Sequence, residues 1–248
     1  MNCILNVEQW PGALLRAIVV FYSITTLVHA QSGFELKPVR ESAIIGAGAL
    51  FHGTSFFLEH RNRSAEAPVL NYDRIPGVDR VATRNWNPTA HTTSNILFGV
   101  ALAASFTTAI IGDEQAKPLV PIVIISSSGL LASGVTNTVK ELVRRPRPYL
   151  YNSNAPQVPI PSNNDQLSFW SGHTANTAAL TFACASMMQR SNASNGVKTV
   201  TWIGAALAPA AMGYLRVRAG KHFPTDVLTG YAVGALIGLA VPYFHRAN

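Results

Sequence analysis

Charge is scarce in this sequence. Only 12% of its 248 residues are Asp, Glu, Lys or Arg, about half the share in an average globular protein. Acidic residues are fewer than basic ones, 12 against 19, so the formal net charge is +7. A basic and apolar chain is typical of proteins that meet anionic partners such as lipid headgroups or phosphates. The sequence has no basic helix or aromatic-basic platform, which argues against nucleic acid as a partner.

Cysteine is nearly absent. The two cysteines, Cys3 and Cys184, lie far apart in the sequence. They cannot build a disulfide framework or a cysteine-based metal site, so cysteine gives no information about the cellular compartment.

The N-terminus has the pattern of a targeting segment. Arg16 precedes an apolar run at residues 17–28, and Ala30 closes a small-residue pattern before Gln31. This pattern predicts a signal peptide at residues 1–30 that is cleaved after Ala30. The alternative is an uncleaved N-terminal membrane anchor.

Six uncharged apolar segments follow, each of roughly 17 to 22 residues, about the length that a helix needs to cross a bilayer. We name them A to F in chain order: Ser42–Leu58, Thr92–Gly112, Pro118–Val139, Phe169–Gln189, Thr199–Leu215 and Val227–Phe244. Their many small residues allow membrane helices to approach closely. They predict an all-α, membrane-embedded bundle of about five or six helices with the active site at one membrane face; a soluble bundle is the alternative.

The linkers between the apolar segments divide the chain into regions. Residues 31–91 are expected to hold an N-terminal helix and a surface loop, and residues 92–245 the helical-bundle core. Residues 113–117 are too few for more than a turn. Residues 146–167 contain five prolines, which prevent a helix from continuing there.

The first chemically suggestive cluster ends segment C. Lys140 closes the helix, and Pro146 and Pro148 break it, so that Arg147 can fold back toward Lys140. Two cations held together call for an anion between them, and Arg offers a planar fork for phosphate oxygens. The alternative is a positive flank that holds the helix end at the membrane surface.

The second cluster, Ser171-Gly172-His173, opens segment D. Free backbone N–H groups at a helix N-terminus bind phosphate well, and Gly172 permits close approach. His173 could protonate a leaving oxygen. Alone, such a cluster is more often an ordinary Ser N-cap followed by a histidine than a binding site.

The third cluster lies between segments E and F. Pro224 suits the first turn of a helix, which places Asp226 near His222. We expect the Asp226 carboxylate to bond one imidazole nitrogen and leave the other free to attack. Arg216 supplies a third cation, and the alternative is a capping Asp beside an interfacial His.

Alternation of the segments brings the three clusters together. If segments C to F each cross the membrane, the end of C, the start of D, the end of E and the start of F share one face. Convergent titratable groups of this kind mark functional sites.

Together these residues resemble the signature of the type 2 phosphatidic acid phosphatase and vanadium haloperoxidase superfamily, in its membrane lipid phosphatase branch. Lys140 with Arg147-Pro148 is similar to its K-x6-RP motif. Ser171-Gly172-His173 is similar to PSGH, and Arg216, His222 and Asp226 to SR-x5-H-x3-D. Trp170 and Leu215 depart from the family's Pro and Ser, and we expect Trp170 to anchor at the membrane interface.

The resemblance implies a metal-independent phosphatase with no cofactor, acting on a lipid phosphate or diphosphate. His222 would attack phosphorus to form a phosphohistidine, Asp226 would orient it, and His173 would protonate the leaving group. The remaining roles fall to the phosphate-binding residues Lys140, Arg147, Ser171, Gly172 and Arg216. Four neighbouring cations would be rim or headgroup contacts: Arg144, Arg145, Arg218 and Lys221.

The resemblance also implies a cytoplasmic (inner) membrane location with the site facing outside. If the signal is cleaved, that orientation requires segment A not to cross, and a surface or re-entrant helix would satisfy it. Three alternatives remain open: a vanadate-dependent haloperoxidase, a soluble secreted acid phosphatase of the same superfamily, and a non-catalytic lipid-binding membrane protein.

Overall fold

A computed structural model of the chain describes residues 33–62, 69–111, 119–156 and 162–247. These residues form six long α-helices and no β-strand, with short 3-10 helices in the connections. The α-helices are α1 (Pro38–Asn62), α2 (Pro88–Ile111), α3 (Leu119–Val143), α4 (Gly172–Gln189), α5 (Asn195–Arg218) and α6 (Pro224–Phe244). The predicted all-α class and helix number are confirmed. The predicted signal peptide and the turn at residues 113–117 lie outside the described residues.

Local sequence sets the helix ends near the clusters. Ser171 caps α4 and its hydroxyl accepts from the Thr174 amide. Pro224 occupies the first turn of α6, where its missing N–H costs nothing. At the other end of a helix, α3 stops at Val143, three residues before Pro146, because proline cannot continue the hydrogen-bond ladder.

The six helices alternate in direction. We call the end that holds Lys140 and His222 the site end, and the opposite one the far end. At the far end, the start of α1 meets the residue after α6 through a Glu41–His245 contact of 2.8 Å. At the site end, Asn62 closes α1 by donating to Glu141 of α3. Both ends of the described chain therefore lie at the far end.

The α1 helix runs beside α3 for its whole length, so a re-entrant helix is not what the chain forms. A Cβ on Gly48 would lie 2.8 Å from the Leu130 side chain, and the Thr138 hydroxyl donates to the Phe51 carbonyl at 2.7 Å. If α3 crosses a membrane, the parallel α1 crosses beside it.

A glycine stripe on α6 sets its register against α4. A Cβ added to Gly230, Gly234 or Gly238 would lie 2.7, 2.1 or 2.5 Å from a backbone oxygen of residue 171, 175 or 179. The two backbones are therefore in contact, as glycine at membrane helix interfaces permits. This contact brings the N-termini of both helices together, and the Ser171 amide donates to the Asp226 carbonyl at 3.0 Å.

Among the residues that the structure describes, three helical stretches are long and apolar enough to cross a membrane: Leu119–Tyr151, Asn195–Arg218 and Pro224–Phe244. Their outer faces carry large exposed apolar side chains, including Leu207, Leu228 and Leu236, each more than 60% exposed. Contiguous exposed apolar surface is unusual in a soluble monomer. The bundle has the composition of a membrane protein.

Candidate active site

A cavity of about 660 Å³ opens between α2, α3 and α4. Six of the eight predicted site residues line it at the site end: Lys140, Arg147, Gly172, His173, Arg216 and His222. The other two, Ser171 and Asp226, are fully buried outside its lining. The structure therefore joins the three sequence clusters at one place.

Three cations face this cavity, of which Arg147 and Arg216 are buried and Lys140 is partly buried. Lys140 Nζ donates to the Leu167 carbonyl at 2.9 Å. Arg147 is 5% exposed and Arg216 is 3% exposed. In the described part of the chain, none of the three forms a salt bridge with a carboxylate.

The two arginines are held by neutral groups. Arg147 donates to the backbone carbonyls of Asn164 and Lys221 at 2.8 and 3.0 Å. Arg216 Nη1 donates to Ser94 Oγ at 3.1 Å and to His91 Nδ1 at 3.0 Å, while its buried Nε–H has no partner among the described residues. An unpaired buried donor beside two other cations leaves unused capacity for an anion.

The hydrogen bonding of His222 fixes its tautomer. Nδ1 donates to the Ser168 carbonyl at 2.7 Å, and a carbonyl oxygen can only accept, so Nδ1 carries the proton and Nε2 carries the lone pair. Nε2 lies 3.4 Å from Arg147 Nη1. Burial, and next the charges of Lys140, Arg147 and Arg216, hold the pKa of His222 well below its usual value. The imidazole is therefore neutral and its free nitrogen faces the cations.

The expected hydrogen bond between Asp226 and His222 is absent, and this prediction is corrected. Asp226 Oδ2 is 3.7 Å from His222 Nδ1, because it accepts instead from the Phe223 amide at 2.8 Å and from Ser168 Oγ at 2.5 Å. Asp226 occupies the third position of α6, where a carboxylate caps the helix N-terminus. Ser168 thus links the two, binding the imidazole through its carbonyl and the carboxylate through its hydroxyl.

Arg145 is not the rim contact that the sequence predicted. Its guanidinium donates to Asp226 Oδ1 at 2.6 Å and to Asp79 Oδ2 at 2.8 Å, and it lies 3.9 Å above the Phe223 ring. Asp79 also accepts from the Thr225 amide at 3.0 Å. The loop before α2 is therefore tied to the start of α6 through a buried acid that no motif marks.

The N-terminus of α4 presents its backbone to the cavity. Ser171 Oγ lies 2.9 Å from the Thr174 hydroxyl, so this hydroxyl serves the cap. Ala175 makes the first intrahelical bond, to the Ser171 carbonyl, which leaves the amides of Gly172 and His173 outside the ladder. The His173 ring is oriented by α2, since its Nε2 donates to Asn95 Oδ1 at 3.0 Å.

Several site residues carry no signal in the sequence. His91, Ser94 and Asn95 lie on the first turns of α2, and Asn164 and Ser168 lie in the loop between α3 and α4. Each is a single polar residue with no motif or spacing around it. Their contribution becomes visible only when the folded chain places α2 against Arg216 and His173.

Trp170 is also placed differently from the sequence expectation. Its side chain is 8% exposed, and its indole N–H donates to Thr136 Oγ1 on α3 at 2.7 Å. A buried indole with a satisfied N–H packs the turn before α4 against α3. It does not anchor at the interface.

Comparisons with known proteins identify a family for this chain. The family model of the PAP2 superfamily matches residues 121–248, the half of the chain that carries all three motifs. Two curated decaprenylphosphoryl-5-phosphoribose phosphatases, from Mycobacterium tuberculosis strains CDC 1551 / Oshkosh and ATCC 25618 / H37Rv, are each 33% identical over 118 residues. That alignment covers 48% of this chain and 58% of each relative, so the chain spans less than two thirds of their length.

One solved structure is similar over nearly the whole chain. It is the crystal structure of a transmembrane PAP2 type phosphatidylglycerolphosphate phosphatase from Bacillus subtilis. It is 20% identical, covers 92% of this chain and 94% of its own, and has a TM-score of 0.41.

Proposed function

This chain belongs to the PAP2 superfamily, and on that premise we propose that it is a metal-independent phosphatase of a membrane lipid that works through a phosphohistidine at His222. The observation that carries the proposal is one neutral imidazole whose free Nε2 faces three cations, none of which pairs with a carboxylate in the described part of the chain. Such a site is complementary to a phosphoryl group, whose charge it would match in the transition state.

The first half of the proposed reaction is attack by His222. Nε2 forms a bond to phosphorus as the bond to the leaving oxygen breaks. His173, which takes a proton from the hydrogen phosphate group as the substrate enters the cluster of cations, gives that proton to the leaving oxygen. Lys140, Arg147 and Arg216 hold the non-bridging oxygens. The Ser168 carbonyl and the nearby Asp226 carboxylate stabilise the positive charge that develops on the ring.

The second half returns the enzyme to its starting state. Water attacks phosphorus, gives a proton to the now neutral His173, and displaces His222 Nε2. Inorganic phosphate takes this proton from His173 as it leaves, and His173 is again neutral for the next turnover. The amides of Gly172 and His173 add fixed dipoles to the cradle, and donors of this kind contribute about 2.7–4 kcal/mol each in other enzymes.

Lipid as the substrate class is supported by what lies beyond the cations. The same cavity continues between helices past apolar side chains such as Phe98, Phe106 and Leu180. The curated relatives are named as phosphatases of a decaprenyl-linked sugar phosphate. We take over only the coarser class, a phosphate monoester or diphosphate of a membrane lipid.

Phosphate release from a panel of lipid phosphates, in detergent with EDTA, tests the proposal. We expect turnover by the unaltered protein and none by His222→Ala, while His60→Ala, an exposed histidine remote from the cavity, keeps full activity. A rapid quench with 32P-labelled lipid should trap an acid-labile label that His222→Ala lacks. Loss of activity in EDTA would contradict the proposed metal independence. Equal activity of His222→Ala and the unaltered protein would contradict the phosphohistidine mechanism.

Other experimental outcomes would support one of the three alternative functions. Bromide oxidation by peroxide with vanadate, without phosphate release, would make the protein a haloperoxidase. Lipid binding that His222→Ala leaves unchanged, with no turnover, would make it a lipid-binding protein. Extraction without detergent would favour a soluble secreted phosphatase.

We further propose that the site faces the outside of the cytoplasmic membrane. Because α1 runs parallel to α3, this orientation puts residue 33 and residue 247 on the cytoplasmic side. A signal peptide cleaved after Ala30 would start the chain on the outer side, so this orientation requires the alternative, an uncleaved N-terminal anchor. Single cysteines test it in a chain whose own Cys3 and Cys184 are replaced: Asn154→Cys at the site end and Asn192→Cys at the far end, both exposed. An impermeant thiol reagent should label only Asn154→Cys in intact cells, and the opposite pattern would reverse the orientation.

A further inference from the structure

The cavity changes character in layers below the phosphate-binding residues. Along α3, Asn137 lies one turn beyond Lys140, about 4.5 Å along the axis. Along α4, Asn176 lies one turn beyond His173, and Leu180 lies about 12 Å from Gly172. All of these residues line the same cavity. We call the pair Asn137 and Asn176 the amide belt.

The amide belt has unused hydrogen-bonding capacity. In the described part of the chain Asn137 makes no side-chain hydrogen bond, and it is exposed within the cavity. Asn176 donates to the Gly172 carbonyl at 2.9 Å, which leaves its carbonyl oxygen and one N–H free. Each of the two side chains can accept from and donate to a bound hydroxyl.

Below the amide belt the lining is mainly apolar. Leu102 of α2, Leu130 of α3 and Leu180 of α4 form this part, and Phe106 lies deepest on α2. Phe98 lies higher, with its ring 5.5 Å from that of His173. A chain-like apolar group fits there, but it fits poorly against the amide belt. Amides covered by methylene groups would lose water without gaining a partner.

Resting on the proposed function, we propose that the substrate carries its phosphate on a hydroxyl-bearing connecting group, such as glycerol or a pentose, and that Asn137 and Asn176 bind the hydroxyls beside the phosphate ester. The hydrocarbon chain then begins one to two helical turns farther down the cavity. A phosphate attached directly to an alkyl or prenyl chain would be the poorer substrate.

A pair of substrates that differ by one hydroxyl tests this inference. The first is 1-hexadecyl-glycerol 3-phosphate, and the second is 3-hexadecyloxypropyl phosphate, which has the same chain, ether and phosphate but no hydroxyl. We expect the unaltered protein to favour the first by about tenfold in kcat/KM, the effect of one net hydrogen bond.

Variants then assign the preference to the amide belt. Asn137→Leu should reduce kcat/KM about tenfold for the hydroxylated substrate and leave the deoxy substrate unchanged or improved. Thr93→Val is the matched control, because Thr93 is exposed at the site end of α2 and does not line the cavity. It should leave the tenfold preference as it is. Asn176→Leu should act like Asn137→Leu, with some loss on both substrates because Asn176 also bonds the α4 backbone.

The outcomes separate this inference from the proposed function. If neither substrate nor the lipid panel releases phosphate, the proposed function fails. If both substrates are hydrolysed equally well, or if Asn137→Leu lowers both equally, the phosphatase stands and the hydroxyl-binding role of the amide belt is overturned.

Discussion

The two ends of the bundle differ in whether their charged side chains are paired. At the far end Glu41 is fully buried and accepts from Arg40 Nε at 3.1 Å, while His245 Nε2 lies 2.8 Å away. Arg40 also donates to the Phe244 carbonyl at 2.6 Å. At the site end Arg147 and Arg216 are buried and Lys140 is partly buried, yet no carboxylate of the described residues pairs with them.

This difference separates structural charge from functional charge. The buried Glu41 carboxylate, bonded to Arg40 and His245, joins α1 to α6 and needs no further partner. Three closely placed cations without an anion repel one another and raise the free energy of the empty site, which a bound phosphate would lower. The contrast predicts that far-end substitutions change stability, whereas site-end substitutions change activity.

The largest expected effect is at the far end. Glu41→Leu leaves Arg40 and His245 without their carboxylate, and removing one partner of a buried pair costs about 3–5 kcal/mol. We expect a large fall in the thermal midpoint in detergent, with kcat/KM of the surviving folded protein unchanged.

The control for Glu41→Leu is an exposed ion pair at the same end. Lys37 and Glu35 form a salt bridge of 2.5 Å, with side chains 53% and 29% exposed. Exposed pairs contribute at most about 1 kcal/mol, so Lys37→Met should shift the midpoint little. Equal losses in the two variants would contradict the structural role of Glu41.

The next effect is on activity at the site end. Arg216→Met removes one phosphate-binding cation while keeping much of the side-chain volume, and loss of one such donor costs about 2.7–4 kcal/mol in the transition state. We expect kcat/KM to fall by roughly 10²–10³-fold. Because the mutual repulsion of the cations is relieved, the thermal midpoint should stay the same or rise. A fall in midpoint as large as that of Glu41→Leu would erase the contrast between the two ends.

Much of this arrangement follows from sequence alone. Long uncharged segments predict the helices, and their alternation predicts that Lys140, Gly172, Arg216 and His222 meet. Both inferences use features that short windows of sequence carry: helix length, helix breakers and the direction of each crossing.

What the sequence does not carry is the choice among neighbouring acceptors. The pattern His222-x3-Asp226 allows a direct bond, but Asp226 is drawn to the Phe223 amide and to Ser168 by the geometry of the helix N-terminus. Arg145 is one of several arginines in a row, and only the distant Asp79 distinguishes it. Such pairings depend on contacts between segments far apart in the chain.

Inorganic phosphate should stabilise the folded protein by binding to the three cations at the site end. A ligand that binds only the folded state adds about 2.7 kcal/mol of stability at 100 times its Kd. We expect orthophosphate or vanadate to raise the thermal midpoint of the unaltered protein and of Glu41→Leu by similar amounts. In Arg216→Met the rise should be much smaller. An equal rise in all three would place the anion somewhere other than at the three cations.

The smallest effect is a shift in the pH profile. Burial and the three cations lower the pKa of His222, so the free enzyme keeps a neutral nucleophile as the pH falls below about 6.5. Activity is present above the lowered pKa and is lost as the pH falls through it. The acid limb of kcat/KM, which reports the free enzyme, should therefore lie below that pH.

The same limb measures how strongly Arg216 acts on His222. Arg216→Met removes one repelling charge, so the pKa of His222 should rise and the acid limb should move to higher pH. Arg216→Lys keeps the charge and should leave the limb in place despite its lower rate. The substrate's own ionisation is common to all three profiles, so only the differences between them count. A limb that stays fixed in Arg216→Met would mean that burial alone keeps His222 neutral, and that the surplus of cations acts on the substrate but not on the nucleophile.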